Sequence, residues 1–415
     1  MKTALALGGG GAKGSYELGA LIALKELGIE YDIVTGTSIG SLNGFFAASS
    51  DLDTLSEVWS NISMDQVLKT INIPDISLEL ANFNKFVKKN AKKAYPTDVI
   101  PLKNLIDFHV NEDKIRSSDI DFGLVCVHFP NMKPLELPLS EIPEGQLADY
   151  LLASCSIFPA FPMCKIDDKL HIDGGYYDNL PINLAVRMGA DYVIAIDLFT
   201  KPAHPEYIGS PLVKYIKPSW DLSYILLFNK EDLEINRKLG YLDTMKAFKK
   251  LLGFRYAFLP DNISEITGCA DNFARIILLF ESNIPYNSLI VRKIISNPMS
   301  KCLKDYTNGI LDVQDFFIRG IETCMEILDY DPCEVYNLHE VNRELLEIFL
   351  DRENYTYKEF FKNIGALSGK IDKQYLIGCI LYKLLDTDNF TDDIYLLANL
   401  FPRETSAAFY LYSIM

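Results

Sequence analysis

Residues 3–7 (TALAL) are an apolar run too short for a helix, and they end on four consecutive glycines at 8–11. That order fits a buried strand entering a tight turn. Residues 14–27 follow with Leu18, Ile22 and Leu24 beside Lys25 and Glu26, a helical spacing closed by Gly28. Ile33 and Val34 open a second strand. It ends at Gly36-Thr37-Ser38-Ile39-Gly40 and passes into a small-residue helix through Gly44 and Ala48. Strand, glycine loop, helix, strand, sharp turn and helix in unbroken succession predict a parallel α/β sheet with right-handed connections.

Further strands are predicted at 121–129 (DFGLVCVHF) and 191–198, the latter after a helical stretch at 182–188. Residues 1–200 therefore read as one α/β unit. Pro202, Pro205, Pro211 and Pro218 mark 201–218 as a linker. Beyond it, 315–330 and 373–385 carry helical periodicity, so 219–415 is expected to form a mostly helical C-terminal lobe.

Nearly half of the 415 residues are apolar, enough for a large core, and the net charge is -16. Such a chain lacks the basic surface that nucleic acid requires. Its eight cysteines form no CxxC pair, so they are read as reduced core thiols, and no metal or other cofactor is expected. The N-terminus lacks a secretory h-region, and no apolar run reaches the roughly 18 residues of a membrane span. The expected location is cytoplasmic, with peripheral membrane contact.

Two segments carry chemistry. Gly36-Thr37-Ser38-Ile39-Gly40 fits G-x-S-x-G between a strand and a helix, the context in which a strained turn exposes a serine hydroxyl. Gly9-Gly10-Gly11-Ala12-Lys13-Gly14 fits G-x-G-x-x-G. A dinucleotide loop is one reading, with Glu30 or Asp32 as the ribose-binding acid. A Walker A loop is excluded, because Lys13 follows Ala12 rather than glycine. An oxyanion hole fits better, since consecutive glycines let several N–H groups converge on one oxygen. For a base, His128, His171, His204 and His339 all lie in contexts better suited to structure. Asp173-Gly174-Gly175 is the better candidate, because a glycine turn can carry its carboxylate to Ser38 and burial can raise its basicity.

Three segments, in order, resemble the patatin-like phospholipase family. GGGGAKGSYELGALIALKELGIEYDIVTGTSIGSLNG (8–44) is similar to the family's glycine loop and nucleophile elbow. LLASCSIFPAFP (151–162) is similar to its A-S to F-P segment, and IDGGYYDNLPINLAVRMGADYVIAID (172–197) to its D-G-G segment with the following N-x-P. The resemblance covers about residues 1–200. It implies a three-layer α/β/α core with a mostly parallel sheet. It also implies a Ser38–Asp173 dyad without a catalytic histidine, and an oxyanion hole from Gly9, Gly10 and Gly11. Lys13 falls at the family's basic position, and Gly14, Gly36, Gly40, Gly174 and Gly175 are supporting glycines. Ile39 stands where the family usually has alanine, a bulk that would narrow the site.

The expected activity is hydrolysis of a fatty-acyl ester of a phospholipid or lysophospholipid. The competing readings are acyl transfer through the same acyl-enzyme, a nucleotide-binding module, and a non-catalytic scaffold. The densest basic cluster, FNKFVKKNAKKAY at 83–95, is expected to form an amphipathic helix flanking the site and meeting phosphate at a membrane. A solvated surface helix is its competitor.

Overall fold

The computed structural model describes residues 1–70, 97–198, 203–260, 263–283, 298–304, 312–351, 355–362, 371–387 and 389–415. The lysine-rich stretch 83–95 lies outside them. The chain divides into two compact units, Met1–Phe248 and Lys249–Met415.

Among the described residues the first unit has ten strands: β1 (Thr3–Leu7), β2 (Ile33–Thr37), β3 (Lys69–Thr70), β4 (Thr97–Asp98), β5 (Asp121–Phe129), β6 (Lys133–Pro138), β7 (Cys164–Ile166), β8 (Lys169–Asp173), β9 (Tyr192–Ile196) and β10 (Val213–Ile216). The main sheet runs β10-β9-β1-β2-β5-β8-β7, with β6 also paired to β5. The stretch from β10 to β5 is parallel, whereas β6, β7 and β8 add antiparallel pairings. β3 and β4 form a separate antiparallel pair.

Alternation along the strands shows why the core has three layers. Ala4, Ala6, Ile33, Val193 and Ala195 pack with Leu180, Ile182 and Ala185, placing the helix Ile182–Arg187 on one face. Gly44, in the helix Ile39–Ala48, approaches Leu7, Val34 and Phe122, the residues that alternate to the other face.

On that second side lie α1 (Ser15–Glu26) and α2 (Ile39–Ala48). A later helix, Lys230–Ala247, packs against α1. The two come so close that a Cβ on Gly19 would sit 1.9 Å from the Arg237 carbonyl, and one on Gly240 1.9 Å from the Tyr16 carbonyl. The Tyr16 hydroxyl donates to Asp243 Oδ2 at 2.9 Å. The α/β unit thus continues to Phe248, and the proline-rich stretch 201–218 contributes the edge strand β10 to its sheet.

The second unit is mostly helical. Its centre is the C-terminal helix Pro402–Ile414, buried at Ala407, Ala408, Phe409, Tyr410 and Leu411. The helix Val313–Ile327 takes up most of the first periodic stretch read from the sequence, stopping three residues short of its end at 330, and Lys373–Thr387 covers the second. Glu322 is buried there with a purpose for each oxygen: Oε1 accepts the N–H groups of Phe254, Arg255 and Tyr256 at 2.7, 2.8 and 3.0 Å, and Oε2 pairs with Arg319. Among the described residues no helix is long and apolar enough to cross a membrane.

Candidate active site

Strand β5 acts as a template for the site. Its Gly123–His128 stretch pairs with β6 along one edge. The other edge is shared by β2, whose Thr37 lies opposite Val125, and β8, whose Asp173 lies opposite Cys126. β2 runs parallel to β5 and β8 antiparallel, so their carboxyl ends meet head to head at consecutive β5 residues. The residue after Thr37 is Ser38, and its Oγ donates to Asp173 Oδ2 at 2.7 Å.

Ser38 holds φ 55° and ψ -127° at the start of α2, a region that costs a non-glycine residue about 1–3 kcal/mol. The surroundings enforce it. A Cβ on Gly36 would lie 2.2 Å from the Gly40 carbonyl, and one on Gly40 2.4 Å from the Leu7 carbonyl, so both glycines are needed for the chain to turn in this space. The Ser38 N–H donates to Ser154 Oγ at 2.9 Å, and Ser154 Oγ donates to the Val125 carbonyl at 2.7 Å. Ser154 was not singled out by sequence reasoning, although it belongs to the segment 151–162.

Asp173 is buried, and its backbone N–H donates to the Ser156 carbonyl. Burial pushes its carboxyl up to about 6, against the hydrogen bonds from Ser38 and from the Gly175 N–H, which favour the charged form. The Gly175 N–H reaches Asp173 Oδ1 at 2.7 Å, while Gly174 packs against the Val125 carbonyl.

The glycine loop borders the serine: a Cβ on Gly9 would be 3.1 Å from Ser38 Cβ. Its three N–H groups are not equivalent. That of Gly9 donates to the Asn179 carbonyl at 3.0 Å, so the expected donor role of Gly9 meets an N–H already committed. Among the described residues, Gly10 and Gly11 have no acceptor for theirs. Gly11 has φ 57°, and a Cβ there would strike the Ile225 carbonyl at 2.1 Å. Gly14 leaves room for the bulky Ile39, whose Cγ1 would be 2.4 Å from an added Cβ.

A cavity of about 610 Å³ opens at Ser38 and Asp173. Ser38, Asp173, Gly9, Gly10 and Gly11 line one part of it. Ile39, Leu42, Phe46, Trp59, Ile106 and Phe161 are among the side chains that make the rest mostly apolar. Ile39, Leu42, Asn43 and Phe46 share one face of α2, so the cavity follows that helix from Ser38 for about 12 Å. Lys13 is not among the lining residues. It is half-buried, and desolvation lowers its pKa against the pull of Asp221 and Asp197.

No histidine hydrogen-bonds Ser38 or Asp173 among the described residues. His171 is buried in a ring cluster with His128 and Tyr150, at centroid distances of 5.5 and 6.0 Å. His204 faces Asp178 and Glu206. His109, which sequence reasoning did not single out, lines the cavity beside Phe46. The dinucleotide reading meets a geometric obstacle. Glu30 and Asp32 precede β2, and Asp32 Oδ2 accepts the Thr3 N–H at 2.7 Å. Both acids therefore sit at the opposite end of the strands from the glycine loop, about 16 Å away along β1.

A strained serine after a parallel strand, a buried carboxylate in contact with it and a glycine loop beside both meet at one cavity of the α/β unit. Residues 5–186 match the family model described as patatin-like phospholipase. It is similar to patatin-like phospholipase domain-containing protein 6 of Mus musculus, with 32% identity over 206 residues, 47% of this chain and 13% of that protein. It is also similar to lysophospholipase NTE1 of Mycosarcoma maydis, with 29% identity over 211 residues, 48% of this chain and 10% of that protein. The chain thus spans a small part of the length of these relatives. The solved structure of VipD from Legionella pneumophila aligns with a TM-score of 0.35 at 12% identity, covering 100% of this chain and 90% of that one.

Proposed function

We propose that this chain is a serine lipid acyl hydrolase of the phospholipase A or lysophospholipase type. The observation that carries the proposal is the 2.7 Å hydrogen bond from Ser38 Oγ to the buried Asp173, at the head of a mostly apolar cavity.

In this mechanism Asp173 takes the Ser38 proton as Oγ attacks the acyl carbonyl. The developing oxyanion is received by the Gly10 and Gly11 N–H groups. Asp173 then returns the proton to the departing alcohol, leaving the acyl group on Ser38, and a water activated by the same carboxylate releases the fatty acid. The apolar cavity along α2 takes the acyl chain, which stabilises binding by about 0.8 kcal/mol for each buried CH₂. Acyl transfer uses the same acyl-enzyme, with an acceptor alcohol in place of water.

The test is to incubate the purified chain with vesicles of phosphatidylcholine or lysophosphatidylcholine, with and without an acceptor alcohol, and to quantify products by mass spectrometry. Free fatty acid is expected from the wild type and none from Ser38→Ala. Acylated acceptor in place of fatty acid would reassign the reaction to transfer. Release that persists in Ser38→Ala would remove the serine from the mechanism.

A further inference from the structure

We infer that Asn179 is a positioning residue that clamps the glycine loop to the loop holding Asp173, and so sets the register between the oxyanion donors and the dyad. This rests on the hydrolase reading above and adds a residue to it.

Residues 9 and 179 exchange two hydrogen bonds. The Gly9 N–H donates to the Asn179 carbonyl at 3.0 Å, and Asn179 Nδ2 donates back to the Gly9 carbonyl at 2.8 Å. The carboxamide also fills the space left by two missing side chains. A Cβ on Gly9 would lie 2.5 Å from Asn179 Oδ1, and one on Gly175 would lie 2.6 Å from the same atom. Gly175 is the residue whose N–H holds Asp173, and Gly9 directly precedes the two glycines with unengaged N–H groups. One side chain therefore touches both halves of the machinery.

The base of the clamp is fixed. Thr37, the residue before the serine, donates its hydroxyl to the Asp178 carbonyl at 2.8 Å, and the Leu180 N–H donates to Asp178 Oδ1 at 3.2 Å. Asn179 is thus held from both sides while its carboxamide reaches the glycine loop. Without Nδ2 the loop keeps only the main-chain bond at Gly9 and can rotate about it. That would move the Gly10 and Gly11 N–H groups relative to Ser38. Misplacement by about 1 Å is enough to cost about 10²-fold in rate. Asn179 also lines the cavity with Ser38, Asp173 and Gly175, whereas acyl-chain affinity comes from the apolar side chains along α2, so binding should change little.

The experiment compares wild type with Asn179→Ala, which removes the donor, and with Asn179→Asp, which keeps the shape but sets a carboxylate oxygen against the Gly9 carbonyl in place of the donor. Circular dichroism and thermal unfolding select the folded variants. The expected result is a fall in kcat of about 10- to 100-fold with KM within about twofold of wild type. Hydrogen–deuterium exchange is measured in parallel on the peptide carrying residues 8–14, where the clamp predicts faster exchange in both variants. Unchanged exchange in that peptide, or kcat within about twofold of wild type in an active protein, would overturn the clamp. A wild type with no hydrolysis but with the exchange effect intact would instead count against the hydrolase reading alone.

Discussion

In the proposed mechanism Asp173 takes a proton from a serine hydroxyl, which needs more basicity than a free aspartate has, and burial raises its pKa in that direction. The rise from 3.8 to about 6 corresponds to a penalty of about 3 kcal/mol on the charged form in the folded state, an upper figure. Because folding raises this pKa, the stability linked to the proton is fully present below about 3.8 and is lost as pH rises through about 6. Asn at this position keeps the shape, can accept from Gly175 and can donate to Ser38. Asp173→Asn should therefore be inactive yet more stable than wild type at pH 8, with the difference fading below pH 4. Urea unfolding at both pH values checks this. Equal stability at pH 8 would mean that the carboxylate is not under strain.

At the level of elements, the contact between α1 and the helix Lys230–Ala247 depends on two glycines. An added Cβ at Gly19 or Gly240 meets a backbone carbonyl, which cannot swing aside as a side chain can. Gly19→Ala and Gly240→Ala should each destabilise the first unit by about 1–3 kcal/mol. Denaturant unfolding followed by tryptophan fluorescence measures it, and a change below about 0.5 kcal/mol would show that the helices can part freely. This contact was not legible in the sequence, since a backbone-to-backbone approach leaves no apolar periodicity. β1, β2, β5 and β9 were legible, because each is an apolar run bounded by turn residues. β10 was not: VKYI is a four-residue edge strand flanked by Pro211 and Pro218. Ser38 and Asp173 could be picked out by motif, but their meeting depends on pairing along β5, which no local pattern states. The engagement of the Gly9 N–H depends on Asn179, far along the chain, and was equally hidden.

At the scale of the whole molecule, the helix Lys230–Ala247 belongs to the α/β unit, so the useful boundary falls at Phe248 rather than in the proline-rich stretch. A chain ending at Phe248 is expected to fold, whereas one ending at residue 218 would expose the α1 face that carries Tyr16 and Gly19 and should aggregate. Solubility and cooperative thermal unfolding of the two distinguish them. Comparable behaviour would place Lys230–Ala247 outside the folding unit.

The proposed mechanism has Asp173 activate Ser38 without a histidine. The rate at which a long-chain fluorophosphonate labels Ser38, followed by mass spectrometry across pH, addresses it directly. The rate should rise with pH through about 6 as the Asp173 carboxylate forms. It should collapse in Asp173→Asn and stay at the wild-type level in folded His171→Gln and His109→Gln. Labelling of Asp173→Asn at the wild-type rate, or its loss in either histidine variant, would contradict the dyad.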